Sequence, residues 1–501
     1  MKKIIRRILS VIPGLLLQIL WTFLLIDRLS PYAAAFGYVL TFLAFIYVLY
    51  IISSRNESTY KTLWLLVILG LPIIGAVLYL LFGNKKSARP LMRKLKRSEE
   101  ELQNLLPDKK SVVEKIKSDN TRIGQTFSFI SEKTGFPVFS CENAEYYPVG
   151  EKLWKQLLID LETAKKSIYA EYFIIEDGVM WGSIMEILER KVKEGVDVRV
   201  IYDDLGSVST FSKSNAKELI SKGIKCVPFN PLVFIKGTVN YRDHRKMFII
   251  DNETVFSGGI NLADEYINEK KLFGHWKDIG FRLTGEPVSS YTKMFSEFWN
   301  AFSKEQLVPI LPEYNKKEHS ENGYVLSYYD SPLYKEAASN NLYIEILSQA
   351  TEYVWFYTPY LMLGDSLSEA MMRAAERGVD VRIIMPGIPD KKFIYRMSRS
   401  YYPELLKSGV KIYEYTPGFV HAKACISDNK LCTVGTVNLD YRSLFLHFEN
   451  NALFYNSPIL NDLKDDYIKT QSLCRECKQD EKFSPLKWFI NGILHIFAPL
   501  C

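Results

Sequence analysis

The chain repeats itself, and the interval of the repeat limits what it can fold into. "ERKVKEGVDVRVIYDD" (189–204) is echoed by "RAAERGVDVRIIMPG" (373–387). "HRKMFIIDNETVFSGGIN" (244–261) is echoed by "HAKACISDNKLCTVGTVN" (421–438). An interval of about 180 residues is too long for the unit of a solenoid, so it marks two duplicated domains. Each copy has the same coarse order. "SIYAEYFII" (167–175) and "YVWFYTPYLML" (353–363) are rich in β-branched and aromatic residues and read as strands. "WGSIMEILERKVKEG" (181–195) and "SLSEAMMRAAERG" (366–378) have helical spacing and stop at glycine. A strand follows each at once. Strand, helix and strand in alternation predict an α/β sandwich in each half, over 121–310 and 311–480.

The second pair of echoes carries chemistry. Side chains on a strand alternate faces with period two. His244 and Lys246 therefore share a face, as do His421 and Lys423. Asp251 and Asp428 stand seven residues after their histidines, an odd step that turns them away on an unbroken strand. The candidate catalytic set is His244, Lys246, Asp251, His421, Lys423 and Asp428, with the aspartates in a supporting place. One such pair is a weak signal; two at matching positions of a duplicated fold can meet across one cleft. Two imidazoles and two ammonium groups suit a phosphodiester. The lysines neutralise the non-bridging oxygens. One imidazole attacks phosphorus and the other moves the leaving group's proton. No divalent metal or other cofactor is expected, and no carboxylate cluster with metal-ligand spacing stands near either motif. Each imidazole needs a partner on its other nitrogen. Asp278 in "HWKDIGFRLTG" and Glu449 in "LHFENN" are the candidates. Asn261 and Asn438 end the two loops and are candidate phosphate donors. Arg442 and Ser443 follow as candidates to line the cleft or brace the loop. His275 and His447 repeat less cleanly and receive no role.

Three apolar stretches fill the N-terminal region, Ile8–Ile26, Tyr32–Ser53 and Leu63–Phe82. Each approaches the roughly 20 residues that cross a bilayer. The start "MKKIIRR" and the flank "GNKKSARPLMRKLKR" are basic, so both ends favour the cytoplasmic side. An even number of crossings satisfies that. Residues 1–83 are thus expected to hold two spans, the second and third stretches, with three spans as the alternative. The catalytic halves then lie on the cytoplasmic side. Residues 84–120 read as a basic flank and polar linker. Residues 481–501, "PLKWFINGILHIFAPLC" at their core, read as an apolar segment for the membrane interface or for docking on the body. The chain has 7 cysteines, an odd number at irregular spacing, which argues against a disulfide framework. The lone CxxC, Cys474 and Cys477, lacks further ligands and reads as part of an ordinary helix near the terminus.

Two HxKxxxxD motifs, each followed by a Gly-x-Asn loop, resemble the phospholipase D superfamily. "LWLLVILGLPIIGAVLYLLFG", "DHRKMFIIDNETVFSGGINLADEY", "HWKDIGFRLTG" and "VHAKACISDNKLCTVGTVNLDYRSLFLHFENN" are similar, within it, to the bacterial cardiolipin synthases. The resemblance spans nearly the whole chain. It implies a membrane-bound phosphatidyltransferase. One phosphatidylglycerol would load a histidine and release glycerol, and the hydroxyl of a second would take the phosphatidyl group. It implies His244 as nucleophile and His421 as acid/base, roles the residues alone leave open. Two positions depart from the pattern: Thr436 replaces a serine and His447 an asparagine. The partners implied are phosphatidylglycerol and membrane lipid, with no nucleic acid, and a homo-oligomer is left open. The alternatives are a membrane-anchored hydrolase of the phospholipase D type, with water as acceptor, and an inactive lipid-binding membrane protein. Both intact motifs argue against the second.

Overall fold

Strands form where β-branched and aromatic runs can be buried on both faces, and helices cover them. The computed structural model describes residues 20, 31–54, 57–83, 88–231, 240–313, 322–334, 336–479 and 485–500. The first apolar stretch and the basic start lie outside these residues, apart from Leu20.

Helix α1 (Pro31–Ser53) packs on α2 (Ser58–Gly70) and α3 (Pro72–Leu78). The third apolar stretch is expected to make one membrane span. It is instead broken at Leu71, because Pro72 cannot continue the hydrogen-bond ladder and starts α3. A π-helical turn, Tyr79–Gly83, closes it. Among the described residues no helix is long and apolar enough to cross a membrane. Ala44, Val48 and Ile51 of α1 are buried against Tyr60, Trp64 and Ile68. Tyr38, Phe42, Phe45, Ile46, Leu49 and Ile52 are exposed.

The polar linker is helical and packed on the body. Its helices Arg89–Glu101 and Lys110–Asp119 bury Leu91, Leu95, Val112, Val113 and Ile116 in the main core. Helix α4 (Thr121–Thr134), capped by Asn120, joins the same core.

The strands in chain order are β1 (Phe139–Ser140), β2 (Asn143–Tyr147), β3 (Ser167–Tyr172), β4 (Asp197–Asp203), β5 (Lys225–Phe229), β6 (Met247–Ile250), β7 (Thr254–Gly258), β8 (His275–Lys277) and β9 (Gly280–Thr284). Then come β10 (Tyr324–Asp330), β11 (Tyr353–Tyr357), β12 (Asp380–Pro386), β13 (Lys411–Tyr415), β14 (Gly418–Val420), β15 (Ala424–Ser427), β16 (Leu431–Gly435), β17 (Glu449–Tyr455) and β18 (Cys474–Glu476). The first sheet runs β2-β9-β7-β6-β3-β4-β5. The second repeats that order as β10-β17-β16-β15-β11-β12-β13, with β1 and β18 added at its edges. Duplication is therefore visible strand for strand. β1 pairs with β10 in the second sheet, and α4 packs on β10 within the core that both halves share. Cys474, expected on a helix, opens the edge strand β18.

The halves share one interior. Helix α5 (Val288–Phe302) is buried along nearly its whole length. Its Phe298 meets Phe229 of the first sheet and Phe448 and Tyr329 of the second half. Helix α6 (Lys392–Ser400) follows β12. Helix α7 (Pro485–Phe497) packs on α6 and α2 and leaves Leu486, Phe489, Ile493 and Phe497 exposed.

Candidate active site

Each HxK stands in an extended segment just before a strand, β6 or β15, and each is held by the other half. The short parallel pairing of β8 with β14 brings Lys277 beside Val420. The symmetric bridge brings Asp243 beside Phe448. Consequently His244 N–H donates to the Phe448 carbonyl at 2.9 Å, and His421 N–H to the Lys277 carbonyl at 2.7 Å. The residues that follow those carbonyls are Glu449 and Asp278. His244 Nδ1 lies 2.8 Å from Glu449 Oε2, and His421 Nδ1 lies 2.6 Å from Asp278 Oδ2. The carboxylate of each half thus orients the imidazole of the opposite half.

Both imidazoles and both lysines are buried. Lys246 Nζ donates to the His244 carbonyl at 2.7 Å. Lys423 Nζ reaches the His421 carbonyl and sits 2.7 Å from His421 Nδ1. Burial first, then Lys246, His447, Lys423 and His421, hold His244 well below the usual imidazole range. Burial and Lys423 bring His421 down to about 4, against the pull of Asp278. Burial lowers Lys246 to about 8 and Lys423 to about 7. The crossed contacts, His244 with Glu449 and His421 with Asp278, bring the two motifs to the same seam between the halves. Desolvation leaves both imidazoles neutral, which is the form a nucleophile needs.

Glu449 is itself braced. Thr436 and Ser443 hydroxyls both donate to it, and Ser443 also accepts from Asn438 N–H at 2.8 Å. Thr436, the departure in the second loop, therefore retains a donor to the orienting carboxylate. Asn438 Oδ1 is buried without a hydrogen-bond partner among the described residues. Asn261 is more committed: its Nδ2 donates to Tyr266 Oη at 2.6 Å and its Oδ1 accepts from Ile174 N–H at 3.2 Å. Asn261 thus gives one of its two amide N–H groups to bracing the loop, and Tyr266 packs edge-on against His421. Arg442 is half-buried, and its carbonyl accepts from Leu446 and His447 N–H.

Asp251 and Asp428 lie outside the cleft. β6 ends at Ile250 and β15 at Ser427, so the strand assumed to carry each aspartate has already turned. Asp251–Asn252 and Asp428–Asn429 all have positive φ, the conformation of a tight hairpin turn that Asp and Asn tolerate. The Asp251 carboxylate accepts N–H bonds from Lys165, Lys166 and Ser167 at 2.7–2.8 Å, fixing the start of β3. Asp428 does the same for Thr351, Glu352 and Tyr353 at β11.

Other contributors escaped the sequence reading. Asn450 Oδ1 accepts from Lys246 N–H, and its Nδ2 donates to Ser257, which in turn donates to the Lys246 carbonyl. Fully buried Arg242 pairs with Asp203, and Arg245 with Glu171 and Asp243, locking the backbone around His244. Adjacent charges at a strand mouth were the available signal for these, but only His and Lys had an echo. Phe173 packs edge-on against His244. His447 lies 5.9 Å from His244, ring to ring, with Nε2 buried and unpartnered among the described residues. His275 is elsewhere, 3.2 Å from Tyr415 Oη. Among the described residues no group of three or more His, Cys, Asp or Glu side chains is arranged to hold a metal ion.

Residues 157–299 and 343–470 each match the family described as "Cardiolipin synthase, PLD-like domain", one match per half. The chain belongs to this family. Residues 39–84 match the "Phospholipase D-nuclease N-terminal" family. An uncharacterized protein of Streptococcus mutans is 43% identical over 90% of this chain and 99% of its own. The cardiolipin synthase of Halalkalibacterium halodurans is 32% identical over 93% of this chain and 94% of its own. The fold is shared with a phosphatidylserine synthase from Haemophilus influenzae, at a TM-score of 0.57 and 15% identity, over 75% of this chain and 98% of that one.

Proposed function

We propose that the chain is a cardiolipin synthase working by two displacements at one phosphorus. The crossed pairs, His244–Glu449 and His421–Asp278, carry this reading, because they supply a nucleophile and a proton carrier in a single buried site with two ammonium groups. His244 Nε2 attacks the phosphorus of one phosphatidylglycerol. The anionic phosphate raises the proton affinity of His421 as it binds, and His421 takes up a proton from solvent; the bond from phosphorus to the glycerol oxygen breaks, and His421 gives that oxygen the proton. A second phosphatidylglycerol then loses its terminal hydroxyl proton to His421. Its oxygen attacks phosphorus, the P–N bond breaks, and cardiolipin leaves. Lys246 and Lys423 neutralise the non-bridging oxygens in both steps.

The N-terminal helices form a hairpin, α1 against α2–α3, with two spans in the cell membrane and the catalytic halves on the cytoplasmic side. The exposed apolar side chains of α1 support this, since each, partly exposed, would cost on the order of 1 kcal/mol in water relative to lipid. Reconstitution with phosphatidylglycerol as the sole lipid tests the reaction. Cardiolipin and free glycerol are expected in equal amounts. Phosphatidic acid without cardiolipin would instead identify a hydrolase.

A further inference from the structure

The surface beside the two short strands that lead into His421 and Asp278 carries residues that the reaction does not use. β14 leads into His421, and β8 leads into Asp278. The loop before β8 exposes Lys271 and Leu272. The loop after β12 is tied to β14 by Ile388 N–H donating to the Gly418 carbonyl at 3.1 Å. A side chain placed on Gly274 would meet Ile388 at 3.2 Å, so the two loops touch. Helix α6 continues from there and exposes Lys392, Phe393 and Arg396. Leu272, Ile388 and Phe393 are 48%, 40% and 56% exposed. Lys271, Lys392 and Arg396 make no ion pair among the described residues. The nearby Asp390 does not offset them, because it accepts from Tyr360 Oη at 2.6 Å and lies 3.6 Å from Lys391.

Single exposed apolar side chains are ordinary on a protein surface. Three in one patch, interspersed with unpaired cations, match the pattern of a surface that enters the headgroup layer of an anionic bilayer. Continuity favours the same partner. α6 packs on α7, whose exposed apolar stripe lies beside α2 of the N-terminal hairpin. We infer that the Lys271–Leu272 loop, Ile388 and the exposed face of α6 form an interfacial rim that seats the cleft mouth on anionic phospholipid and gathers headgroups to the His421 side. The inference rests on the lipid substrate of the proposed function, although not on the identity of the acceptor.

The test uses the full-length protein in non-ionic detergent micelles containing a varied mole fraction of phosphatidylglycerol. The second substrate is dihexanoyl phosphatidylglycerol dispersed below its micellar concentration. Glycerol and phosphatidic acid together report total turnover. Each basic residue at an anionic surface contributes about five- to ten-fold in binding. The triple variant Lys271→Gln, Lys392→Gln, Arg396→Gln should therefore need at least about ten-fold more phosphatidylglycerol in the micelle for half-maximal rate. The ratio of micellar to dispersed turnover should fall, as it should for Leu272→Ser with Phe393→Ser. Lys271→Arg with Lys392→Arg should keep the wild-type dependence. An unchanged mole-fraction dependence, or an equal loss on dispersed lipid, overturns the rim. Wild-type protein that turns lipid over without forming cardiolipin overturns the proposed acceptor instead and leaves the rim's test intact.

Discussion

At the scale of single residues, the site depends on carboxylates that cross between halves. Glu449→Gln retains shape but removes a carboxyl oxygen that orients His244 Nδ1, and with it the group whose charge would stabilise the imidazolium form; burial otherwise holds that carboxyl well above the usual carboxylate range. Loss of such an orienting carboxylate should lower kcat by about 10²–10⁴-fold with little change in thermal stability. Asp278→Asn should act likewise through His421. Steady-state lipid analysis of purified variants measures both, and near-normal turnover in either would break the crossed-pair mechanism. The lysines set a pH dependence. Lys423 at about 7 and Lys246 at about 8 lose their positive charge as pH rises, and His421, at about 4 in the free site, must take up the proton that it gives to the leaving oxygen, which acts in the same direction. The kcat/KM should therefore fall as pH increases through about 7–8. In the bound complex the phosphate's negative charge favours the ammonium form, so the fall in kcat should come at higher pH. A pH profile of both parameters checks the sign and the order. His244, Lys246, His421 and Lys423 were legible because each pair has an echo. The crossing was not, since no pattern along the chain states which half a carboxylate reaches into.

At the scale of elements, the last residue of HxKxxxxD works as an anchor for a turn and a strand. Asp251→Ala removes the acceptor of three N–H groups at the start of β3 and should cost about 1–3 kcal/mol. The folded fraction should keep far more turnover than Lys246→Ala, which removes a charge from the cleft. Thermal denaturation alongside activity at low temperature separates the two effects. Parity placed Asp251 away from the histidine, but the physical cause is the hairpin turn that ends β6 before it. The alternating strand and helix order was legible, because each element is long enough to show its periodicity. The two-residue β1 was not, and α4 carries no mark of which sheet it will cover. The break at Leu71 was passed over for a related reason: apolar composition counts residues for a span and is blind to what Pro72 does to the ladder between them.

At the scale of the whole molecule, duplication has made two halves that each lack half of their own chemistry. The first half has His244 without Glu449, and the second has His421 without Asp278. Their contact is extensive and apolar: Phe281 meets Phe454 at 5.7 Å, Phe298 meets Phe448 at 5.1 Å, β1 of the N-terminal half pairs with β10, and α4 packs on β10. The chain between Glu313 and Asn322 joins the halves covalently, but the crossed contacts hold them. Cutting the chain there should leave the assembly intact. Both fragments, co-expressed, should co-purify and form cardiolipin at a rate within about ten-fold of the uncut protein, since the loop-closure cost of the missing link is small beside so large an interface. Either fragment expressed alone should release no glycerol, because its imidazole then faces water where the partner's carboxylate belongs. Turnover by one fragment alone would mean that a half carries a complete site, and the crossed architecture would then have no catalytic purpose.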